Sequence, residues 1–277
     1  MLTMVRVTRF RFLRQFLLGL VCVVMIAACG GGDTGAPADD AADGGSDLLV
    51  VATEPAFPPF EFQAEDGSLV GFDIDLMNAI GEAAGFEVEF QSLPFDGIIP
   101  ALQSNTVDAA ISGMTITAAR LETVDFSRPY IAAGLAIAVQ ESNTDINSID
   151  DLEGKRIAVQ IGTTGAETAN GIPDAQVSTF DSAPLALQEL SNGNADAVIN
   201  DAPVTLDAIA SGNIPGLKVI GELVTEEYYG IALPKGSPNL ERVNSGMATI
   251  LENGTYAEIF QTWFGAEPPE LPEEAPL

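Results

Sequence analysis

Apolar positions along this chain fall into short dense runs separated by stretches of helical spacing. Leu48 to Thr53 (LLVVAT) is a valine-rich run halted by Glu54-Pro55 and Pro58-Pro59, which predicts a buried strand. Leu76, Ala79, Ile80 and Ala83 then recur on one helical face, with Asp73 placed to cap the helix and Gly85 to end it. Phe86 to Phe90 alternates as a strand, Asp96 to Ser104 carries Ile98, Ile99 and Leu102 on one side of a helix, and Val107 to Ser112 is another strand. The pattern restarts after Asp150. Arg156 to Gln160 reads as a strand, a helix begins at about Gly165, Gln176 to Phe180 is a strand, Leu185 to Ser191 a helix and Asp196 to Asn200 a strand. Strands alternating with helices of about ten residues predict mainly parallel α/β sheets, and the restart predicts two α/β lobes. Ligands of open α/β sheets sit beyond the carboxyl ends of strands, so the loops after Thr53, Ser112, Gln160 and Asn200 are the candidates.

The two ends of the chain carry other signals. Arg6 to Arg14 form a basic segment, and Phe16 to Ala28 form an apolar run too short to cross a hydrocarbon core as a helix. The run closes on Ile26-Ala27-Ala28-Cys29 and Gly30-Gly31-Gly32, which resembles a bacterial lipobox with Ile26 where leucine is usual. That resemblance implies a signal peptide over residues 1–28 and a lipid on Cys29, which becomes the first mature residue. With Cys22 lost in the leader, one cysteine remains and no internal disulfide is possible. Residues 29–47 are rich in Gly, Ala and Asp and predict a flexible tether; residues 266–277 (AEPPELPEEAPL) predict a loose tail.

Composition narrows the chemistry. A hydrophobic share of 47% over 277 residues excludes wholesale disorder. The net charge of −29 repels nucleic-acid phosphates and bears on solubility and steering. The chain has no histidine, which removes Ser-His-Asp and Cys-His catalysis and the commonest zinc ligand. It has no phosphate-binding or nucleophile-elbow motif. Asp73/Asp75 and Asp150/Asp151 lack EF-hand spacing and read as helix caps and surface. No cofactor or metal is expected. Between Cys29 and Ser127 there are eighteen acids and a single basic residue, Arg120.

The segments LLVVATEPAFPPFEF, GSLVGFDIDLMNAI, PFDGIIPALQSNTVDAAISGMTITAARLETVDFSRPY, GKRIAVQIGTTGAE, NADAVINDAP, YYGIALPKGS and LENGTYAEIFQTWFG, in that order, resemble the polar amino acid group of bacterial extracytoplasmic solute-binding proteins, receptors of ABC importers. The resemblance implies an α/β, two-lobed periplasmic-binding-protein clamshell with two crossing hinge segments, near residues 130–134 and 225–229. Lobe one would combine residues 48–129 with 230–265, and lobe two would run over 135–224. It further implies a lipid-anchored monomer of the cell envelope, outside the cytoplasm, delivering a free amino acid to a permease in the cytoplasmic membrane.

The resemblance also assigns roles. Arg120 grips the ligand α-carboxylate, with Gly113 and Thr115 lining the same pocket. Asp201 holds the α-amino group, Phe57 and Phe95 sandwich the side chain, and the turn before Thr164 aims helix N–H groups at the anion. Glutamine-binding relatives carry Asp, Lys and His where this chain has Glu54, Gln160 and Asn200. Glu54 is thereby left with no protein cation, which favours a basic ligand, arginine first, then lysine or histidine. A glutamine receptor, a sensory receptor domain and a cyclohexadienyl dehydratase-like enzyme with Glu54 as its acid are the alternatives.

Overall fold

The computed structural model describes residues 47–277. The leader, Cys29 and the tether up to residue 46 lie outside the described residues. The chain enters as β1 (Asp47–Thr53), turns through β2 (Ala56–Phe57), β3 (Glu61–Gln63) and β4 (Leu69–Val70), and follows α1 (Phe72–Ala84) to β5 (Phe86–Ser92). Next come α2 (Phe95–Gln103), β6 (Ala109–Ala110), α3 (Ala118–Leu121) and β7 (Val124–Phe126). A crossing strand, β8 (Ile131–Ala133), leads to β9 (Leu135–Gln140), β10 (Arg156–Gln160), α4 (Thr164–Asn170), β11 (Gln176–Phe180), α5 (Ala183–Ser191), β12 (Ala197–Asp201), α6 (Ala202–Ala210) and β13 (Leu217–Ile220). The chain returns through β14 (Glu227–Tyr229) to β15 (Ala232–Pro234), α7 (Asn239–Glu252) and α8 (Thr255–Phe264).

Two five-stranded sheets result, ordered β5-β1-β6-β15-β7 and β11-β10-β12-β9-β13, so the molecule has two α/β lobes. The crossing strands β8 and β14 pair antiparallel as a ribbon between them. Neither sheet is mainly parallel. β5, β1 and β6 are parallel, as are β11, β10 and β12, but β15 and β9 run against their neighbours. Both are fed directly by a crossing, with no helical crossover to return the chain to the starting end.

Helix α1 buries Phe72, Ile74, Leu76, Met77 and Ile80 and ends at Gly85 in the left-handed region, as predicted; of the face read from the sequence, Leu76 and Ile80 are buried, Ala79 is half-buried and Ala83 is exposed. Its beginning differs. Gly71 occupies the N-cap, because a Cβ there would lie 1.9 Å from the Phe60 carbonyl oxygen. Asp73 falls inside the first turn and points inward. Asp151 does act as a cap, closing a capping box with Ser148 on the turn Ile149–Leu152. Val107 to Ser112 is strand only at Ala109–Ala110. Beyond Phe264 the tail forms neither helix nor strand, yet it is not loose. Leu271 packs on the aromatic core around Phe60, Phe72 and Phe260, and Ala275 packs on the cluster containing Ile98 and Leu102. The few apolar residues among its prolines and glutamates provide that attachment.

Candidate functional site

The carboxyl ends of β1, β6, β10 and β12 converge with the β8/β14 ribbon. There Phe57, Phe95, Ser112, Gly113, Thr115, Arg120, Gln160, Thr163, Thr164 and Asp201 line one cavity. The space among them is about 10 Å³, room for about one water, so the two lobes touch across it. Two hydrogen bonds bridge them directly, and a third ties the second lobe to the β14 crossing. Gln160 Nε2 donates to Glu54 Oε2 at 2.8 Å, Arg120 Nη2 donates to the Gly162 carbonyl at 3.0 Å, and Thr164 Oγ1 donates to Glu227 Oε2 at 2.9 Å.

Arg120 stands on α3, a single turn whose cap, Thr117, accepts the Arg120 N–H at 3.2 Å. Its side chain is 8% exposed. Nη1 donates to the Thr115 carbonyl at 2.7 Å, and the guanidinium carbon lies 5.5 Å from the Phe95 ring centre. No carboxylate pairs with it: the three ion pairs among the described residues are Arg156–Asp196, Lys235–Asp125 and Arg242–Asp47. Burial pulls its pKa down, while the charges of Glu167, Asp201 and Glu227 act the other way. A cation buried without a counter-charge is an unfilled electrostatic demand.

Gly113 adopts a φ of 52°, and a Cβ on it would come within 2.6 Å of the Phe57 ring. Glycine therefore lets the loop after β6 turn tightly beneath that ring. Thr115 Oγ1 donates to Glu227 Oε2 at 2.6 Å. With its hydrogen so committed, the hydroxyl presents lone pairs to the cavity. Asp201 Oδ1 accepts from the Tyr229 hydroxyl at 2.6 Å. Burial raises the Asp201 carboxyl to about 7, the Glu227 charge adds to the rise, and the Tyr229 hydrogen bond opposes it. Glu54, just past β1, is 6% exposed and also raised to about 7, chiefly by burial and secondarily by the nearby Asp96 charge, against the Gln160 hydrogen bond. Its partner is a neutral amide.

Of the ten residues singled out from sequence, eight line the cavity, and Glu54 joins it through Gln160. Asn200 does not: its amide donates to Thr205 Oγ1 at 3.1 Å, within the second lobe. The residue that sequence reasoning missed is Glu227. It gathers hydroxyls from Thr115, from Thr164 and, at Oε1, from Thr225 at 2.9 Å. Glu226 and Glu227 are indistinguishable as letters. The pleat of β14 turns Glu227 inward and leaves Glu226 to bond the exposed Tyr228 hydroxyl.

Residues 49–266 match the family described as bacterial extracellular solute-binding proteins, family 3. The chain belongs to that family. One relative among these solute-binding proteins is the L-cystine-binding protein TcyJ of Escherichia coli strain K12, 32% identical over 264 residues, covering 92% of this chain and 96% of TcyJ. Solved structures of the family include an ancestral arginine-binding protein. Bound to arginine, it is 45% identical with a TM-score of 0.76, covering 79% of this chain and 98% of that one. Bound to glutamine, it is 46% identical with a TM-score of 0.74, at the same coverage. The arginine-, lysine-, histidine-binding protein ArtJ of Geobacillus stearothermophilus is 38% identical with a TM-score of 0.77, covering 80% of this chain and 97% of that one. Two-lobed solute-binding architecture is thus shared over nearly the whole described chain.

Proposed function

We propose that this protein captures a free polar L-amino acid between its lobes, without turnover, and delivers it to an ABC permease, with basic amino acids preferred and arginine first. The observation that carries the preference is charge: the site holds one buried guanidinium, Arg120, against three buried carboxyls, Glu54, Asp201 and Glu227, and Glu54 has only the neutral Gln160 amide as its side-chain partner. Arg120 pairs with the ligand α-carboxylate, exchanging its contact with the Gly162 carbonyl for a charge-assisted one. Asp201 and the Thr115 hydroxyl accept from the α-ammonium group. Phe57 and Phe95 flank the side chain, and its cationic end meets Glu54. The lobes, residues 48–129 with 230–265 and residues 135–224, part about the segments 130–134 and 225–229 to admit the ligand and close on it, because contacts from both sides exist only in the closed state. Cys29 carries a lipid that holds the receptor at the cell envelope.

Calorimetric titration with arginine, lysine, histidine, glutamine, glutamate and cystine tests the reading. Arginine is expected to bind tightest; tighter binding of glutamine or cystine overturns the basic preference while leaving the amino acid receptor standing. Conversion of prephenate or arogenate by the purified protein would overturn the binding-only role.

A further inference from the structure

Behind the floor of the cavity lie two carboxyls that do not line it. Glu61 on β3 and Asp73 in the first turn of α1 are both 0% exposed. Glu61 Oε1 accepts from Ser112 Oγ at 2.9 Å. Asp73 Oδ2 accepts from the Gly113 N–H at 2.9 Å and from the Tyr130 hydroxyl at 2.8 Å. The remaining oxygens, Glu61 Oε2 and Asp73 Oδ1, are buried and have no donor. The two side chains are within hydrogen-bonding reach of each other.

The groups facing the pair from the surrounding elements are Tyr130 beside β8, Tyr229 on β14 and Glu54 beyond β1, and none is a cation. Two adjacent carboxylates in a dry site without a counter-charge do not both ionise. One proton shared between the two carboxyls removes one charge and supplies a donor where the protein otherwise provides none.

We propose that Glu61 and Asp73 share a single buried proton, carried on Glu61, and that this proton is a positioning element of the ligand site. The pair grips both residues of the floor. Ser112 Oγ donates to Glu61 and accepts the Glu54 N–H at 3.0 Å, while Asp73 takes the Gly113 N–H. The proton thus fixes the turn under Phe57 and the backbone that carries Glu54. Asp73 is the member that ionises, because two donors and the start of a helix stabilise its charge. Burial and the Asp73 charge hold Glu61 well above the carboxylate range. The role in ligand binding rests on the proposed function; the proton itself does not.

The test therefore begins on ligand-free wild-type protein. At about pH 8.5, above the value of about 7 for Glu54 and Asp201, infrared spectroscopy should show the carbonyl stretch of one protonated carboxylic acid. That band should vanish in Glu61→Gln and persist in Glu54→Gln; its absence from the wild type overturns the proposal. Glutamine at 61 keeps an acceptor for Ser112 and supplies a permanent N–H to Asp73. A folded-state pKa raised above the unfolded value confers stability that is complete below the unfolded pKa and lost as pH climbs through the folded one. The melting temperature of Glu61→Gln should accordingly fall less between about pH 5 and 8.5 than that of wild type, and equal slopes count against the shared proton. Finally, arginine affinity should be retained within about threefold in Glu61→Gln and drop about tenfold or more in Glu61→Leu, which strands Ser112 and Asp73. Equal losses in both variants overturn the positioning role. If arginine fails to bind wild type, the proposed ligand is wrong, and the infrared and thermal results still decide the proton.

Discussion

Arg120 is the residue on which ligand capture turns, because it is buried with two carbonyl partners and no carboxylate. Arg120→Met should remove detectable binding of every amino acid. A buried charge pair is worth ~2 to 5 kcal/mol, or orders of magnitude in dissociation constant. Glu54→Gln should be selective, costing arginine one hundredfold or so, about 2.7 kcal/mol, and glutamine little; equal losses would move Glu54 to the α-amino end of the ligand. The raised carboxyls add a second signature. Glu54 and Asp201 each titrate at about 7 in the ligand-free protein, and a cation brought to either favours its charged form. Arginine binding at about pH 6 should release up to about two protons, read by titration in buffers of differing ionisation enthalpy. Glutamine should release only the Asp201 proton.

At the scale of elements, β14 does more than cross between lobes. Glu227 on it accepts from a loop of the first lobe, from the first residue of α4 in the second, and from its own crossing segment. Glu227→Ala leaves the Thr115 and Thr164 hydroxyls without that acceptor and loosens the closed arrangement. Stopped-flow measurements should show ligand leaving roughly tenfold faster, as for about 1.4 kcal/mol of lost closure; an unchanged rate would make Glu227 a bystander. Element boundaries were readable wherever apolar periodicity and glycine agreed. Arg156–Gln160 and Gln176–Phe180 are strands as read, and α1 stops at Gly85. Asp73 was misplaced because an aspartate near a helix start has the same letter whether it caps the helix or turns into the core. The Gly113 N–H and Tyr130 hydroxyl that draw it inward are 40 and 57 residues away.

For the whole molecule, the raised carboxyls of the cavity add to the pH dependence of stability. Glu54 and Asp201 have folded values near 7, above their ordinary 4.5 and 3.8. Their contribution is complete below about pH 4 and declines as pH rises through about 7. Thermal unfolding of the ligand-free protein should therefore show a melting temperature that falls from about pH 5 to 8, and less so in Glu54→Gln. Saturating arginine should offset the fall, adding ~2.7 kcal/mol at a hundredfold excess over its dissociation constant. A ligand-free protein whose stability rises through that interval would contradict the raised values.

The letters of this chain were enough to determine two α/β units, the loops at their strand ends and a single arginine amid the acidic surplus between Cys29 and Ser127, since periodicity, glycine stops and charge are local properties. Which acid of Glu226-Glu227 turns inward, why Asn200 faces Thr205 while Gln160 meets Glu54, and how Glu61 comes to lie against Asp73 were decided only by tertiary structure. Each depends on the burial and partners that distant segments impose, and those exist only after the lobes and their crossings have packed.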